Sequence, residues 1–276
     1  MKVAFVGRGL EMASTRYRVV LPAMYLQKRG HEITKDAEIL VFSKSGVEKE
    51  VLDLYPKKIY DICDDNFDCP KRGPEYVAHA RAANAVTVNS DVMRFIVHKK
   101  TGRVATVIPD PYEHSEWSPS WGEGLLWFGH WTNVKDLART GLEATIITNP
   151  DSIPEDSQTR VYLDGKRVIN WTPEAMDEAW KSHALVVIPT GRSMAKSANR
   201  LIESVRAGKF VVCEPLPAYE EFSRFMWVGE MRSGVEWALS HRKECLERVK
   251  ACQDYIRHRY SPDRIGGMWE TVLSSI

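Results

Sequence analysis

Short apolar runs alternate with longer amphipathic segments along most of the 276-residue chain. In the first part of the sequence these runs predict strands at positions 2–6, 38–42, 58–62, 85–89 and 104–108. The runs are almost continuously apolar and rich in β-branched residues, which is typical of parallel strands buried on both faces. Helices are predicted between them at 14–29, with a kink at Pro22, and at 74–84 and 91–99.

The alternation starts again after a proline-rich connection at 109–121. Strands are predicted at 125–128, 144–148, 185–188 and 210–213, with two more short strands within 160–171. Helices are predicted at 173–181, 199–207, 234–258 and 262–273. Two successive βα series predict an α/β fold with two Rossmann-like domains that face each other across a cleft. The predicted division is a first domain at 1–112, a linker at 113–121, a second domain at 122–258 and a final helix within 259–276.

Charge and cysteine content restrict the classes of function. The chain has 38 Lys and Arg against 37 Asp and Glu, so an extended basic surface for nucleic acid is not expected. It has no run of 18 apolar residues, and its first residues lack the apolar stretch of a signal peptide. Its five cysteines form no CxxC pair, and Cys63, Cys69 and His79 follow no standard metal-ligand spacing. We therefore expect a cytoplasmic protein with free thiols, no transmembrane segment and no metal site.

The segment between the predicted strands at 185–188 and 210–213 contains most of the candidate ligand-binding residues. A polar loop at 190–197 leads into a helix, whose first turn presents unpaired backbone N–H groups and the positive end of the helix dipole. Lys196 and Arg200 add positive charge beside this candidate anion site. Glu203 shares a helix face with Asn199 and Arg200, and its carboxylate can accept two hydrogen bonds from a ribose diol. The alternative is structural: Glu203 pairs with Arg200, and the two cations are solvated.

Several segments, in the same order along the chain, resemble one known family. The segment 186–212, which contains Lys196 to Glu203, resembles the donor-binding element of GT-B-fold glycosyltransferases, in the large retaining group (group 1, family 4-like) that uses nucleotide-sugars. Other resemblances lie at 1–7, 14–18, 29–32, 107–113, 125–130 and 215–222. Segment 107–113 is similar to the family's exit from its first domain, and 125–130 to the first strand and glycine turn of its second domain.

The resemblance implies transfer of a sugar from a nucleotide-sugar, UDP- or GDP-linked, to an acceptor hydroxyl. It implies a retaining, metal-independent reaction without a cofactor, an acceptor in the first domain, the donor in the second, and a last helix that crosses back to the first domain. The expected partners are therefore the donor and an acceptor that is a glycan, a polymer or a hydroxymethylated DNA base. The residues assigned to the donor are Gly7, Arg8, Gly9, Arg16, Gly129, His130, Asn133, Lys196, Ser197, Ala198, Asn199, Arg200 and Glu203.

The sequence departs from the family pattern at one informative position. The family's Glu-x(7)-Glu motif places its first glutamate, which often touches the donor sugar, at position 195, where this chain has Ala195. The second glutamate, which touches the ribose, matches Glu203. Two alternatives stay open: a non-catalytic nucleotide- or sugar-binding module derived from a transferase, which the missing glutamate favours, and a nucleotide-sugar epimerase, which shares the two-domain layout but which Ala195 disfavours. A dinucleotide-dependent oxidoreductase is disfavoured, because Gly7-Arg8-Gly9 lacks the third glycine of GxGxxG.

A second polar run follows the predicted strand at 58–62. Asp64 and Asp65 lie at the carboxyl end of this strand, where cleft residues are expected, and His79 lies on the next helix. These three residues are candidates for acceptor binding or proton handling, and they are the catalytic candidates of the chain. The alternative is a hydrated acidic loop that caps a helix. Arg16 and Arg18, two residues apart, are expected to point to different sides, one toward the phosphates or acceptor and the other solvated or paired.

Overall fold

The computed structural model describes residues 1–7, 9, 12–43, 47–191 and 194–276. The chain divides into two compact units. The first unit comprises Met1–Glu113, Met194–Asn199 and Arg257–Ile276, and the second comprises His114–Ser193 and Arg200–Ile256. Each unit contains a six-stranded sheet whose paired strands are all parallel. The predicted α/β architecture of two Rossmann-like domains is therefore confirmed. Among the described residues, no helix combines the length and apolar character needed to cross a membrane.

The first unit is built around a sheet with the strand order β2-β1-β3-β4-β5-β6. Its strands are β1 (Lys2–Val6), β2 (Glu32–Ile33), β3 (Ile39–Ser43), β4 (Lys57–Ile62), β5 (Ala85–Val88) and β6 (Thr106–Val107). Its helices are α1 (Ala13–Thr15), a π-helical turn (Arg16–Val20), α2 (Leu21–Lys28), α3 (Lys49–Asp53), α4 (Gly73–Ala82), α5 (Asp91–Thr101) and α12 (Pro262–Ser274). The direction of chain progression reverses between β1 and β3, which is the topological switch point of this sheet.

Two apolar clusters cover the two faces of this sheet. One contains Tyr60 of β4 and Tyr76 of α4, and the other contains Val3 of β1 with Ile265 and Trp269 of α12. Helix α12 packs against α2, and Arg29 of the α2 end donates to Glu270 at 2.7 Å. The last helix therefore completes the core of the first unit.

The second unit repeats the arrangement with the strand order β12-β11-β10-β7-β8-β9. Its strands are β7 (Leu125–Phe128), β8 (Thr145–Thr148), β9 (Val168–Asn170), β10 (Leu185–Ile188), β11 (Phe210–Cys213) and β12 (Trp227–Val228). Its helices are α6 (Val134–Thr140), α7 (Gln158–Leu163), α8 (Pro173–Ser182), α9 (Asn199–Arg206), α10 (Met231–Ser240) and α11 (Arg242–Arg259). The switch point of this sheet lies between β7 and β10, and ligands of such sheets bind outside the carboxyl ends of the strands.

Three local predictions differ from the structure. The stretch 160–171 holds the end of helix α7 and the single strand β9, where two strands were expected, because Ser157 caps a helix that Gly165 follows in a left-handed turn. The single helix expected at 234–258 is two helices, which meet at the non-helical residue His241. The single helix expected at 14–29 consists of α1, a π-helical turn at Arg16–Val20 and α2, and Pro22 lies in the first turn of α2.

Candidate functional site

The carboxyl end of β7 carries a fixed positive charge. Arg200, in the first turn of α9, donates from Nη1 to the carbonyl oxygen of Phe128 at 3.3 Å. A Cβ on Gly129 would lie 3.3 Å from the same Nη1, a tight contact that the guanidinium would relieve by moving a few tenths of an ångström. Arg200 is also hydrogen bonded to the buried hydroxyl of Tyr219, whose pKa is raised to about 12, mainly by burial. The guanidinium is therefore held in place at the switch point of the second sheet.

The turn after Gly129 is short and polar. His130 begins a single 3-10 turn, Trp131–Asn133, and its Nδ1 lies 2.9 Å from the hydroxyl of Thr132. Asn133 donates its backbone N–H to the carbonyl of His130 at 3.0 Å and precedes α6. The structure thus brings Gly129, His130 and Arg200 of the predicted donor set to the same sheet edge.

Glu203 lies one turn further along α9 and is 4% exposed. Its Oε2 accepts the backbone N–H of His114 at 3.3 Å, and Arg206 donates to the carbonyl of the same residue at 3.3 and 3.4 Å. Arg206 also forms an ion pair with Glu116. One face of α9 therefore binds both sides of the His114 backbone, a structural role for Glu203 that the sequence analysis did not foresee.

The segment that follows His114 is fixed by two further residues of the second unit. Gln253 donates from Nε2 to the carbonyl of Trp117 at 2.8 Å. Lys209, fully buried, donates from Nζ to the Ser120 hydroxyl at 2.8 Å and to the His183 carbonyl at 2.9 Å. Burial lowers the pKa of Lys209 to about 8. In the sequence, the one indication that Lys209 is buried is its position directly before the apolar run of β11. Its partners, Ser120 and His183, could not be identified because they lie far away in the sequence.

The remaining predicted donor residues on the loop before α9 belong to the first unit. Ser197 donates from Oγ to Asn199 Oδ1 at 2.7 Å and is also hydrogen bonded to Asp110. Ala198 is buried, and Lys196 is half-buried. Ala195 is 4% exposed and belongs to the apolar cluster that contains Tyr60. The position expected to carry a sugar-binding glutamate is therefore part of a hydrophobic core.

Beside this loop lies a buried charge network that the sequence analysis did not identify. Arg18 is fully buried, and its guanidinium binds Asp61 through Nη2–Oδ1 (2.5 Å) and Nε–Oδ2 (3.0 Å). Its Nη1 donates to Asp110 at 3.2 Å, and the hydroxyl of Thr87 donates to Asp61 at 2.7 Å. Burial opposes the charge on Arg18, but the two carboxylates keep its pKa above the ordinary range, whereas burial raises the pKa of Asp110. Both arginines considered in the sequence are paired, Arg18 with Asp61 and Asp110, and Arg16 with Glu113.

The predicted donor residues near β1 have structural contacts of their own. A Cβ on Gly7 would lie 2.7 Å from Val19 Cγ2, so this glycine allows the first strand to pack against the following helix. The carbonyl of Gly9 accepts the N–H of Met12 at 3.1 Å. Arg16 binds Glu113 with an Nε–Oε1 distance of 2.8 Å. Arg8, the fourth residue of this group, lies outside the described residues.

The catalytic candidates occupy different environments in the first unit. Asp64 and Asp65 are exposed after β4, and Asp65 Oδ1 accepts the N–H of Phe67 at 3.3 Å. His79 lies on α4, with Nε2 at 3.1 Å from Glu75 Oε1 and its ring edge-on to Phe42. The side chains of Asp64 and Asp65 are exposed to solvent, whereas the imidazole of His79 packs edge-on against the rings of Phe42 and Tyr60. Within the described ranges, no group of three His, Cys, Asp or Glu side chains could hold a metal ion.

Solved glycosyltransferases share this fold. HepE of Anabaena, solved with UDP and glucose, matches with a TM-score of 0.76 at 12% identity, over 100% of each chain. An alpha-glucosyltransferase solved with UDP-glucose and DNA containing an abasic site matches with a TM-score of 0.70 at 11% identity, over 99% of each chain. WaaG, a glycosyltransferase involved in lipopolysaccharide biosynthesis, matches with a TM-score of 0.65 at 11% identity, over 96% of this chain and 98% of WaaG.

Sequence comparison gives no further assignment. No protein-family model and no curated protein matches the chain. The structural similarity at these low identities establishes the fold alone. The chain therefore has the GT-B fold of glycosyltransferases, as the sequence resemblance implied.

Proposed function

We propose that the protein is a glycosyltransferase that moves a sugar from a UDP-sugar to an acceptor hydroxyl. The observation that carries this proposal is the position of Arg200, whose guanidinium is held against Phe128 and Gly129 at the switch point of the second sheet. The proposal draws further support from HepE and the alpha-glucosyltransferase, which share the fold and were solved with UDP or UDP-glucose.

The proposed chemistry needs a stabilised leaving group. Cleavage of the donor glycosidic bond leaves negative charge on the diphosphate, and a cation fixed beforehand stabilises that charge as it develops. Arg200 supplies the cation, and the N–H groups at the start of α9 add the positive end of a helix dipole. Glu203 is proposed to bind the ribose hydroxyls while it also holds the His114 backbone.

Several finer features of the reaction are part of the proposal. The transfer is proposed to retain the anomeric configuration and to need neither metal nor cofactor, with GDP as the second choice of donor nucleotide. The acceptor is a glycan, a polymer or a hydroxymethylated DNA base, and Asp64, Asp65 and His79 are proposed to bind it or handle its proton. A cytoplasmic location is proposed from the five cysteines, all free.

A second function is favoured by one specific observation. Ala195 is buried in an apolar cluster, so the carboxylate that the family resemblance assigns to the sugar is missing at that position. A non-catalytic module that binds a nucleotide or nucleotide-sugar without turnover would be expected to lose such a group. This alternative predicts nucleotide binding without sugar transfer.

A ligand screen followed by product analysis tests the proposal. A thermal-shift assay, run once with Mg²⁺ and once with EDTA, screens nucleotides and their sugar conjugates. The nucleotides are UDP, GDP, ADP, dTDP and CMP. A ligand at 100 times its dissociation constant stabilises the fold by about 2.7 kcal/mol. The proposal expects a shift with UDP in EDTA and slow release of glucose from UDP-glucose, whose initial anomer by NMR reports retention or inversion. UDP binding without sugar release or transfer favours the binding module, and the absence of any nucleotide shift contradicts both.

A further inference from the structure

The carboxyl edge of the second sheet carries a glutamate that the donor site described above does not use. Glu214 directly follows β11, and Thr190 lies two residues after the end of β10, in the turn that follows it. Strand β10 lies between β11 and β7, so Glu214 is about 10 Å, two strand spacings, from the strand that carries Gly129.

Among the described residues, every polar contact of the Glu214 carboxylate is made through the same oxygen, Oε2. Its Oε2 accepts the backbone N–H of Thr190 at 2.8 Å and binds Arg139 Nη2 at 2.6 Å. Over the described ranges, Oε1 makes no hydrogen bond or ion pair. The side chain is 19% exposed, so this oxygen belongs to a carboxylate that is oriented by its partners and open to a ligand.

The charge state of this carboxylate suits a hydrogen-bond acceptor. Burial opposes its ionisation, but the bonds from Arg139 and Thr190 outweigh burial and hold the pKa of Glu214 below its ordinary value. It is therefore ionised at neutral pH, and an ionised carboxylate accepts hydroxyl hydrogen bonds more strongly than a neutral group does. The hydroxyls of a sugar ring are donors of this kind.

We infer that Glu214 is a specificity-determining residue that binds hydroxyl groups of the donor sugar through Oε1. This inference rests on the proposed function. Glu214 supplies the sugar-binding carboxylate from β11, while the position expected to supply one carries Ala195 in the apolar core of the first unit. The sugar is recognised as a neutral polyhydroxylated ring, and the nucleotide does not contact Glu214.

Calorimetric titration of UDP and UDP-glucose into the wild type, Glu214→Gln and Arg139→Gln tests the inference. For Glu214→Gln we expect unchanged UDP affinity and UDP-glucose affinity reduced about 10- to 100-fold, the range for a charged hydrogen bond. Glu143→Gln is the matched control, because Glu143 is also paired with a cation, Lys166, but precedes β8 at the opposite edge of the sheet.

The outcomes separate the inference from the proposed function. If Glu214 only holds the turn at Thr190, Glu214→Gln and Arg139→Gln weaken UDP and UDP-glucose by the same factor, which overturns the inference. Unchanged UDP-glucose affinity in Glu214→Gln overturns it as well. If the wild type binds neither ligand, the proposed function fails, and the inference fails with it.

Discussion

The buried carboxylate of Glu203 accepts the backbone N–H of His114 at 3.3 Å. We therefore expect Glu203→Ala to lower the free energy of unfolding by about 1–3 kcal/mol, because a buried N–H loses its acceptor. Glu203→Gln keeps an oxygen acceptor and is expected to be close to the wild type in stability. If Glu203 also binds the ribose, Glu203→Gln weakens UDP binding. Urea unfolding measures the change in stability, and calorimetry on the same samples measures the change in UDP affinity. Wild-type UDP affinity in Glu203→Gln would leave only the structural role.

Removing the fixed cation at the switch point tests the phosphate site. Arg200→Met is expected to reduce UDP affinity about 10- to 100-fold, since a charged hydrogen bond to phosphate is lost. Uridine, which lacks phosphates, should show a much smaller change. Arg232→Met is the control, because Arg232 is an exposed arginine that donates to the Thr140 carbonyl at 3.2 Å. Equal effects on UDP and uridine would contradict a phosphate role for Arg200.

Restoring the family's glutamate should not create a sugar-binding residue. Ala195→Glu places a charge in an apolar cluster, and we expect a loss of about 3–5 kcal/mol of stability, the scale of an uncompensated buried charge. Met194→Glu is the matched control, because Met194 is 52% exposed and its substitution should change stability by no more than about 0.5 kcal/mol. Chemical denaturation of both variants measures the difference. A stable Ala195→Glu protein with stronger UDP-glucose binding would contradict the position of residue 195 in the apolar core.

Lys209 gives the stability a specific pH dependence. Its pKa is lowered to about 8 in the folded protein, and that of an unfolded lysine is about 10.4. Between these values the unfolded chain binds more protons, so the Lys209 contribution to stability rises with pH by up to about 1.4 kcal/mol per unit. Urea unfolding from pH 7 to 10 should show this rise in the wild type relative to Lys209→Met. Parallel pH profiles for the two proteins would show that Lys209 titrates normally.

The buried pair of Arg18 and Asp61 should be costly to break and less costly to replace. Arg18→Met leaves the Asp61 carboxylate buried without its partner, and we expect a loss of about 3–5 kcal/mol. The double variant Arg18→Met/Asp61→Leu removes both charges and should recover much of that stability. Denaturant midpoints of the two variants and the wild type test this. A double variant that is less stable than Arg18→Met would indicate that Asp110 and Thr87 depend on the pair.

The buried strands were predictable because they appear in the sequence as short, almost continuous runs of apolar residues. The predicted bounds 2–6, 125–128, 185–188 and 210–213 coincide with β1, β7, β10 and β11, whose residues are mostly buried and apolar. Helix α7 was missed because it is short, its apolar residues Val161 and Tyr162 are exposed, and its stop signals resemble those of a hairpin. Local patterns therefore recover the central strands and lose the two-residue edge strands β2 and β12 and the short helices α3 and α7.

The contacts of the candidate site could not be predicted in the same way. Arg18 and Asp61 are 43 positions apart, and His114 and Glu203 are 89 apart, so only the folded topology brings each pair together. Residue type and spacing indicated the importance of Arg200 and Glu203 on one helix face. They did not indicate that Glu203 would bind backbone, nor that Ala195 would be part of a core.

Calorimetric titration of UDP into the wild-type protein in EDTA tests the central claim most directly. The account predicts saturable binding of one UDP per chain without metal, and binding at least about tenfold weaker in Arg200→Met, the minimum for a lost charged contact. Binding that is absent in EDTA, or unaffected by Arg200→Met, would contradict a metal-independent donor site at the switch point of the second sheet.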